Sequence, residues 1–256
     1  MLEMSNNPLT TFIDKADLFL ALMKIKWKTA KRDAEVIAQI LKDYGIKKGK
    51  ILDLMCGNGR ISINLAKMDY TVIGVDFSPK FIADAKENAK ELNIDNVKFV
   101  IGDARRIDEL LYDEIFDAVL LVWTSLGYYD RETDEDILRQ VFKITKQGGL
   151  LIISDIILRE NEETTKYSES ELGYYIAGKY HVFLTRIIDP NYKKLHLTWN
   201  FFTENEGKLV FIDALQLSIN LYSLSELVEL IENAGWKFLE LRKIAGIDHI
   251  IAGKHF

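Results

Sequence analysis

The sequence is poor in the residues that crosslink secreted proteins and in the apolar runs that cross membranes. Its 256 residues include one cysteine, Cys56, and three prolines. One cysteine excludes an intrachain disulfide, as is typical of a reducing cytosol, and no window reaches the roughly 18 apolar residues of a membrane span. The first residues, MLEMSNNPLT, lack the basic start and apolar run of a signal peptide. We therefore expect a cytoplasmic protein that contacts no membrane.

An excess of positive charge is also missing. The formal net charge is −6 at pH 7. Affinity for nucleic acid comes largely from clustered lysine and arginine, so we do not expect a nucleic-acid partner. The densest basic cluster, Lys24 to Arg32, is interpreted as a solvated helix face, although it keeps an RNA-binding role open. No paired histidine or cysteine spacing resembles a metal cage, so no metal site is expected.

The most informative segment is residues 51–59, ILDLMCGNG, in which an apolar strand meets a glycine-rich turn. Gly57 and Gly59 let the backbone approach a ligand closely, and the next helix turns its N-terminal amides toward that ligand. An acidic residue also follows or ends each of three predicted strands: Asp53, Asp76 and Asp103. A dinucleotide-binding loop would need glycine in place of Ser62 and has no use for three such acids. S-adenosylmethionine (SAM) would use all three.

Three longer motifs carry a resemblance to a known family. They read D-L-x-C-G-x-G-R at Asp53 to Arg60, F-D-A-V-L-x-x-x-T-S-x-G-Y at Phe116 to Tyr128, and L-Y-(S/T)-x-x-E-L at Leu221 to Leu227. In these motifs and their order the chain resembles, over nearly all its length, the class I SAM-dependent methyltransferases. The resemblance implies an α/β fold with a Rossmann-like seven-stranded sheet and helices on both faces. It also implies SAM as cofactor and S-adenosylhomocysteine as product, although Met55 replaces the family's usual first glycine.

The residues near the strand ends can be assigned to parts of SAM. The Asp76 carboxylate can accept both ribose hydroxyls, and Phe77 can lie against the adenine. Asp103, with the backbone at Ala104, can accept the adenine amino proton. Asp53 would orient the loop or meet the SAM ammonium group. The complete expected cofactor-binding set is Asp53, Met55, Gly57, Gly59, Asp76, Phe77, Asp103, Ala104 and Val122.

The order of elements predicts four parts. Strands alternate with helices as far as Asp155, which indicates an α/β core. Two amphipathic helices, Leu18–Trp27 and Ala34–Tyr44, are predicted before the first strand. The parts are N-terminal helices covering the cofactor site (1–46), the SAM-binding core (47–157), an antiparallel β insertion (158–220) and a C-terminal helix with a strand pair (221–256).

The insertion has a different pattern from the core. Residues 159–172 are acidic and polar without a clear period, which favours a mobile loop or a surface helix. The runs 182–189, 194–202 and 209–222 are strand-like and separated by turn compositions. They predict an antiparallel insertion between the fifth strand and the last helix. In the family that the chain resembles, such an insertion forms a lid over the substrate.

Catalytic residues leave a fainter pattern, because methyl transfer from a sulfonium needs alignment and desolvation more than a fixed triad. The catalytic candidates are Tyr128 and His181, with His196 as a second histidine of the insertion. The residues expected beside the transferred methyl group are Thr124, Ser125 and Tyr128. Leu121 stands where the family often has a polar residue. We therefore expect catalysis by proximity with at most modest proton transfer.

These observations favour a cytoplasmic SAM-dependent methyltransferase that acts on an oxygen, nitrogen or carbon of a small molecule. Two alternatives stay open. The basic stretch Lys24 to Arg32 leaves room for an RNA or protein methyltransferase, and the departures at Met55 and Leu121 leave room for a catalytically inactive SAM-binding protein. A homodimer also stays open.

Overall fold

The computed structural model describes residues 8–123, 125–159, 170–189 and 193–255. Its helices are α1 Pro8–Asp14, α2 Ala16–Asp43, α3 Arg60–Ala66, α4 Pro79–Glu91, α5 Ile107–Leu110, α6 Arg131–Lys143 and α7 Leu224–Asn233. Its strands are β1 Lys50–Leu54, β2 Thr71–Asp76, β3 Val97–Ile101, β4 Phe116–Val122, β5 Thr145–Ser154, β6 Ser170–Ala177, β7 Tyr180–Asp189, β8 Lys194–Asn205, β9 Lys208–Asn220, β10 Lys237–Ile244 and β11 Ile247–Gly253. A 3-10 turn covers Ala104–Arg106.

A seven-stranded sheet has the order β10-β11-β5-β4-β1-β2-β3. The strands β1 to β5 pair in parallel, while β11 runs antiparallel to β5 and to β10. One face packs against α2 and α3, and the other against α6 and α7, so the apolar central strands are buried on both sides. The predicted Rossmann-like sheet is confirmed. The strand order reverses between β1 and β4, which opens a crevice at their carboxyl ends.

Three neighbouring strands are followed by residues with the same unusual backbone conformation. Met55 after β1, Trp123 after β4 and Asp155 after β5 have φ angles of 59°, 62° and 60°. Residues with a side chain rarely adopt this left-handed region, whereas glycine adopts it readily. The family's usual glycine at position 55 thus suits the backbone, and Met55 takes the same conformation. The chain turns sharply at this edge of the sheet, where the crevice opens.

Helix α2 is continuous, so the prediction of two helices at Leu18–Trp27 and Ala34–Tyr44 is wrong. The intervening residues are mostly polar but include no glycine or proline to stop a helix. Ala30 and Ala34 are fully buried and carry the packed face across this polar stretch. The first half of α2 packs against the insertion, and the second half packs against the parallel sheet. In the described ranges, no helix is long and apolar enough to cross a membrane.

The insertion between β5 and α7 is a four-stranded antiparallel sheet in the order β6-β7-β8-β9. The antiparallel insertion is therefore confirmed at the level of fold. Strand β6 begins at Ser170, inside the segment 159–172 that was predicted to be a loop or surface helix, and residues 160–169 lie outside the described residues. The strand was missed because its start is polar. The boundaries of the four predicted parts stay predictions.

One face of the insertion sheet is a hydrophobic core shared with the N-terminal helices. Leu197, Trp199 and Phe201 of β8 are buried there, and Phe12 of α1 and Phe19 of α2 belong to the same cluster. Burial of this apolar surface favours association of the helices with the insertion sheet. The helices and the insertion sheet therefore face each other near the crevice of the parallel sheet.

Candidate active site

The loop from β1 to α3 is tightly packed, which explains its two glycines. Gly57 and Gly59 have φ angles of 56° and 75°. A Cβ atom on Gly59 would lie 2.5 Å from the ring of Phe99, and one on Gly57 would lie 3.2 Å from the side chain of Met23. A larger residue at either position would strain the backbone and crowd a neighbour. The loop is thereby held against α2 and β3.

Asp53 lies beneath this loop and does not line the cavity described below. Its carboxylate accepts a hydrogen bond from the Ser62 hydroxyl of α3. Burial raises the pKa of Asp53 to about 6, although the Ser62 hydroxyl and the nearby Arg60 charge oppose the shift. Of the two roles expected for Asp53, this geometry supports orientation of the loop.

Asp76 connects the loop to the end of β2. Its Oδ2 accepts a hydrogen bond from the Gly57 amide at 2.9 Å, and its Oδ1 accepts one from the Ser78 amide at 3.0 Å. Burial raises the pKa of Asp76 to about 6, and the backbone hydrogen bonds oppose that shift. A carboxylate has about four lone-pair sites, so each oxygen can accept a further hydrogen bond. Asp76 lines the cavity, so its remaining capacity to accept hydrogen bonds is available to a ligand there.

Asp103 is turned away from the expected position. Its carboxylate forms an ion pair with Arg105 at 2.5 Å and accepts a hydrogen bond from the Arg105 amide. The pKa of Asp103 is lowered, chiefly by the Arg105 side chain. Its neighbours Gly102 and Ala104 line the cavity, but Asp103 does not. The carboxylate serves here as a partner of Arg105, so its proposed contact with adenine would require that pair to rearrange.

A cavity of about 430 Å³ lies between the carboxyl edge of the parallel sheet and the inner face of the insertion sheet. We call the part bounded by the parallel-sheet loops the cofactor end, and the part bounded by β6 to β9 the insertion end. The sequence-predicted residues that line the cavity are Met55, Gly57, Asp76, Phe77, Ala104, Val122, Ser125 and Tyr128, whereas Gly59 is not part of the lining. The insertion contributes Tyr175, Leu184, Arg186, Leu197, Trp199, Leu217 and Ile219. Helices α1 and α2 close one side through Phe12, Phe19 and Leu22.

Arg60 is the most informative residue that was not included in the predicted site. It is 6% exposed and lines the cavity, and its guanidinium lies 5.3 Å from the ring centroid of Trp123. Its Nε has no hydrogen-bond partner among the described residues. Burial lowers the pKa of Arg60, while nearby acids, Asp53 first, oppose the shift. A buried cation with an unused donor is suited to binding an anionic group.

Two other polar residues of the cavity were also missed. Asn58 is 1% exposed, and its Oδ1 has no partner within the described part of the chain. Lys26 of α2 lies over the Trp123 ring at 5.3 Å and pairs with Asp155 at 3.8 Å. The first motif contains Arg60, so the sequence could have indicated it as a site residue. Nothing in the sequence around Lys26 indicates that it lines the cavity, because α2 reaches the site only through tertiary packing.

The loop after β4 brings Tyr128 to the cavity. The Tyr128 ring meets Phe12 edge to face, with ring centroids 5.3 Å apart. The Ser125 hydroxyl also lines the cavity, but it donates to the carbonyl oxygen of Val122 at 2.7 Å. Thr124, which was expected beside the methyl group, lies outside the described residues. Tyr128 is therefore the candidate catalytic residue that the structure places at the cavity.

His181 is not brought to the cavity. It shares a hydrogen bond of 2.7 Å with the Tyr174 hydroxyl on the opposite face of the insertion sheet. The reason is strand alternation: Val182 and Leu184 face the hydrophobic core, so His181 faces outward. His196 bonds with the Ser218 hydroxyl at 2.8 Å and is likewise absent from the cavity lining. The expectation that His181 acts as a catalytic base therefore has no geometric support.

A buried acid joins two of the sequence motifs. Asp134 of α6 accepts hydrogen bonds at one oxygen from the Gly127 amide at 3.0 Å and from the Tyr222 hydroxyl at 2.7 Å. Its other oxygen has no partner among the described residues, and burial raises the pKa of Asp134 to about 7. Gly127 belongs to the fourth-strand motif, and Tyr222 to the L-Y-S motif. Asp134 thus holds the loop that carries Tyr128 against the start of α7.

No metal site is evident in the ranges that the structure describes, where no group of three or more histidine, cysteine, aspartate or glutamate side chains could hold an ion. Cys56 is buried, and burial together with the nearby Asp53 and Asp76 charges raises the pKa of its thiol well above the usual value. A protonated thiol is a poor nucleophile. The geometry of the cavity therefore gives Cys56 no role as a nucleophile.

Comparisons with known proteins address the family and the fold of the chain. Residues 46–201 match a family model described as a methyltransferase domain. The putative methyltransferase YqeM of Bacillus subtilis is 36% identical over 107 residues, covering 41% of this chain and 42% of that protein. The 23S rRNA (uracil(1939)-C(5))-methyltransferase RlmD of a Shewanella species is 37% identical over 89 residues, covering 30% of this chain and 20% of that protein. Both relatives are matched over less than half of their length.

A solved structure extends the likeness to nearly the whole chain. SAM-bound CalS10, an amino pentose methyltransferase from Micromonospora echinaspora, has a TM-score of 0.75 to this structure. The alignment covers 93% of this chain and 96% of that one, at 14% sequence identity. At that identity the likeness concerns the fold alone.

Proposed function

Because this chain belongs to the methyltransferase-domain family of class I SAM-dependent methyltransferases, we propose that it transfers a methyl group from SAM to a small molecule. The observation that carries the proposal is the single cavity that reaches from the cofactor end to the insertion end. Motif residues such as Asp76 and Phe77 line one end, and insertion residues such as Trp199 line the other. A methyl donor and an acceptor can therefore be held side by side.

The residues at the cofactor end fit SAM. Asp76 has acceptor capacity for the ribose hydroxyls, and Phe77 offers a ring for adenine. The unused Nε of Arg60 suits the carboxylate of the methionine portion, and the unpartnered Oδ1 of Asn58 suits its ammonium group. When bound, SAM supplies an electrophilic methyl group on a positively charged sulfur. Asp103 and the Ala104 backbone remain our proposed contacts for the adenine amino group.

The protein would accelerate transfer by alignment and by exclusion of water. Apolar and aromatic side chains make up most of the cavity wall, so a bound acceptor loses its water shell there. Holding two reactants in the correct geometry can supply roughly 7 to 11 kcal/mol of barrier reduction without an acid or a base. Tyr128 would position the acceptor from the loop after β4. The Asp134 hydrogen bonds would keep that loop in place.

A small acceptor suits this cavity better than RNA. The formal charge is −6, and the insertion end is closed by α1, α2 and the insertion sheet. The densest basic cluster contributes Lys26 to the cavity, while Lys24 and Lys31 pair with acids at 3.8 Å. RNA binding draws on unneutralised lysine and arginine spread over a surface. The RNA substrate in the name of RlmD belongs to that protein.

A labelled methyl donor tests the proposal. The protein would be incubated with methyl-labelled SAM and, separately, with a protein-free metabolite extract, total RNA and total protein. We expect label in a metabolite and none in the macromolecules. Label in RNA or protein instead would contradict the small-molecule proposal, and SAM binding without any transfer would support the inactive SAM-binding alternative. Asp76→Ala is the matched control, because it should lose both binding and transfer.

A further inference from the structure

The insertion end of the cavity is mostly apolar, which does not suit a polar acceptor. Most of its wall is formed by Leu184, Leu197, Trp199, Leu217 and Ile219, and Tyr175 and Arg186 are its polar members. Apolar walls of this kind bind ligands by removing apolar surface from water. An acceptor covered with hydroxyl groups, such as a sugar, would lose hydrogen bonds to water there without replacing them.

Aromatic rings form a continuous path between the two ends of the cavity. Phe12 lies 6.0 Å from Phe77 at the cofactor end and 4.5 Å from Phe19, measured between ring centroids. Phe19 in turn meets Trp199 edge to face at 6.2 Å. Aromatic rings pair favourably in such offset and edge-to-face arrangements. A planar aromatic acceptor would extend this path, which a saturated ring cannot do.

The charged residues of the cavity disfavour a cationic acceptor. Among the described lining residues the cations are Lys26, Arg60 and Arg186, and Asp76 is the one carboxylate. Asp155, outside the lining, pairs with Lys26 at 3.8 Å, so Arg60 and Arg186 carry most of this positive charge. Asp76 lies at the cofactor end, and the bound sulfonium would add a further positive charge. An ammonium group near these charges would be repelled, whereas an anionic oxygen would be attracted.

Apart from Asp76, which lies at the cofactor end, no described lining residue is suited to act as a general base toward the acceptor. The lining contains no histidine, and its tyrosines are Tyr128, Tyr129 and Tyr175. Burial raises the pKa of Tyr129 and of Tyr175 to about 12, and burial raises the pKa of the Cys56 thiol as well. Tyr129, Tyr175 and Cys56 stay protonated near neutral pH, so they can donate hydrogen bonds but do not remove protons. The described lining therefore favours an acceptor that loses its proton by its own acidity.

Building on the function proposed above, we propose that the acceptor is a small aromatic molecule with an acidic hydroxyl, a phenol or an enol, which is methylated as its anion. The hydroxyl proton first leaves to bulk water. A lone pair of the oxygen anion then forms the bond to the methyl carbon, while the carbon–sulfur bond breaks. The electron pair of that bond stays on sulfur, which becomes a neutral thioether.

A pH series on the unmodified protein tests this inference. Phenols of similar shape with pKa values from about 7 to about 10 would be compared by kcat/KM between pH 6 and pH 10, with labelled SAM. We expect the midpoint of the rise in kcat/KM to follow the pKa of each phenol, because only the anion reacts. We also expect benzylamine-type acceptors of the same size to react at least about tenfold more slowly, because of like-charge repulsion.

A pair of isosteric variants tests the charge argument. Leu197→Asp places a carboxylate on the insertion wall, and Leu197→Asn places a neutral group of the same shape there. We expect the aspartate variant to lower kcat/KM for phenolates by at least about tenfold relative to the asparagine variant. SAM affinity, measured by calorimetry, should be equal in the two variants and shows that both are folded.

The outcomes separate this inference from the proposed function. A midpoint that is the same for all phenols would reveal a protein base and overturn the inference. Preferred methylation of amines or of sugars would also overturn it while leaving small-molecule methyl transfer intact. Failure of the unmodified protein to bind SAM would instead overturn the proposed function.

Discussion

At the scale of single residues, Asp76 combines two roles that are usually considered separately. It holds the Gly57 and Ser78 amides, and it keeps acceptor capacity toward the cavity. A substitution there would alter the loop and the ribose contact together. Asp103 lacks this double role, because its carboxylate is occupied by Arg105 and is about one third exposed.

Asp76→Ala should weaken SAM binding by about 2 to 4 kcal/mol, the scale of charge-assisted hydrogen bonds left unmade. Asp103→Ala is the comparison, and we expect it to have a clearly smaller effect because it first breaks an ion pair with Arg105. Titration calorimetry of both variants measures the difference. Wild-type affinity in Asp76→Ala would show that the ribose assignment is wrong.

Arg60→Met should also weaken SAM binding, because methionine keeps an apolar side chain against Trp123 but cannot pair with a carboxylate. We expect a loss of about 1.5 to 3 kcal/mol, as for hydrogen bonds to charged groups. The control ligand is decarboxylated SAM, whose affinity should be nearly unchanged by the substitution. An equal loss for both ligands would mean that Arg60 supports the fold of the loop and does not contact the carboxylate.

Tyr128→Phe and His181→Ala should each lower turnover by less than the ~100-fold typical of a lost general base. For His181 the reason is its position on the outer face, and for Tyr128 it is a positioning role. Steady-state kinetics at saturating SAM would measure both. A drop of 1,000-fold in either variant, with SAM affinity unchanged, would reveal a dedicated acid–base residue.

At the scale of elements, Asp134 explains why two distant motifs occur together. Its carboxylate joins the loop after β4 to the segment before α7, through Gly127 and Tyr222. A Cβ atom on Gly127 would lie 2.4 Å from the carbonyl oxygen of Asn220, so the loop and β9 are also in close contact. These contacts explain why the two motifs contain Gly127 and Tyr222.

This acid should make the stability of the protein depend on pH. The pKa of Asp134 is raised from 3.8 to about 7 in the folded protein, so the folded state binds more protons than the unfolded state between these values. The contribution of Asp134 to the free energy of unfolding therefore falls as pH rises from about 4 to about 7, by on the order of 1 kcal/mol per pH unit at most. Asp53 and Asp76, with raised pKa values of about 6, act in the same direction.

Asp134→Asn should flatten this dependence. Urea unfolding of the variant and of the wild type at pH 5 and at pH 7.5 would give the two slopes. We expect the wild type to lose more stability than the variant between these pH values. An unchanged slope would show that the carboxyl group of Asp134 does not titrate in this range in the folded protein.

At the scale of the whole molecule, the cavity exists because three parts of the chain meet around Phe12. Its ring contacts Phe77 at the cofactor end, Tyr128 on the loop after β4, and Phe19 on α2. Phe19 continues the contact to Trp199 of the insertion. Closure of the cavity therefore depends on a short N-terminal helix that contributes little to the parallel sheet.

Phe12→Ala should raise KM for both substrates by about tenfold, equivalent to about 1.4 kcal/mol, because the wall shared by both ends is opened. The matched control is Ile13→Ala, since Ile13 is the next residue and is 51% exposed. The control should leave KM unchanged. Equal effects of the two substitutions would mean that α1 acts through general helix stability and not through the ring of Phe12.

The sequence by itself determined the elements of the sheet and the chemistry of the loop. Alternating strands and helices predicted an α/β core followed by an antiparallel insertion. The resemblance carried by the three motifs implied the Rossmann-like seven-stranded sheet and the SAM-dependent family. Local patterns failed where packing overrode them. A polar stretch did not interrupt α2, because Ala30 and Ala34 are buried against neighbouring elements.

Only the tertiary structure decided which side chains reach the cavity. Strand alternation could be read from the sequence, but the face that packs against α1 and α2 could not, so the sequence did not show that the candidate His181 lies on the outer face. The desolvation of Arg60 and the pairing of Asp103 with Arg105 likewise depend on neighbours in space. Burial and charge pairing are set by distances in space. The residues involved lie far apart along the chain, or packing fixes the direction of their side chains, so the sequence alone does not reveal these distances.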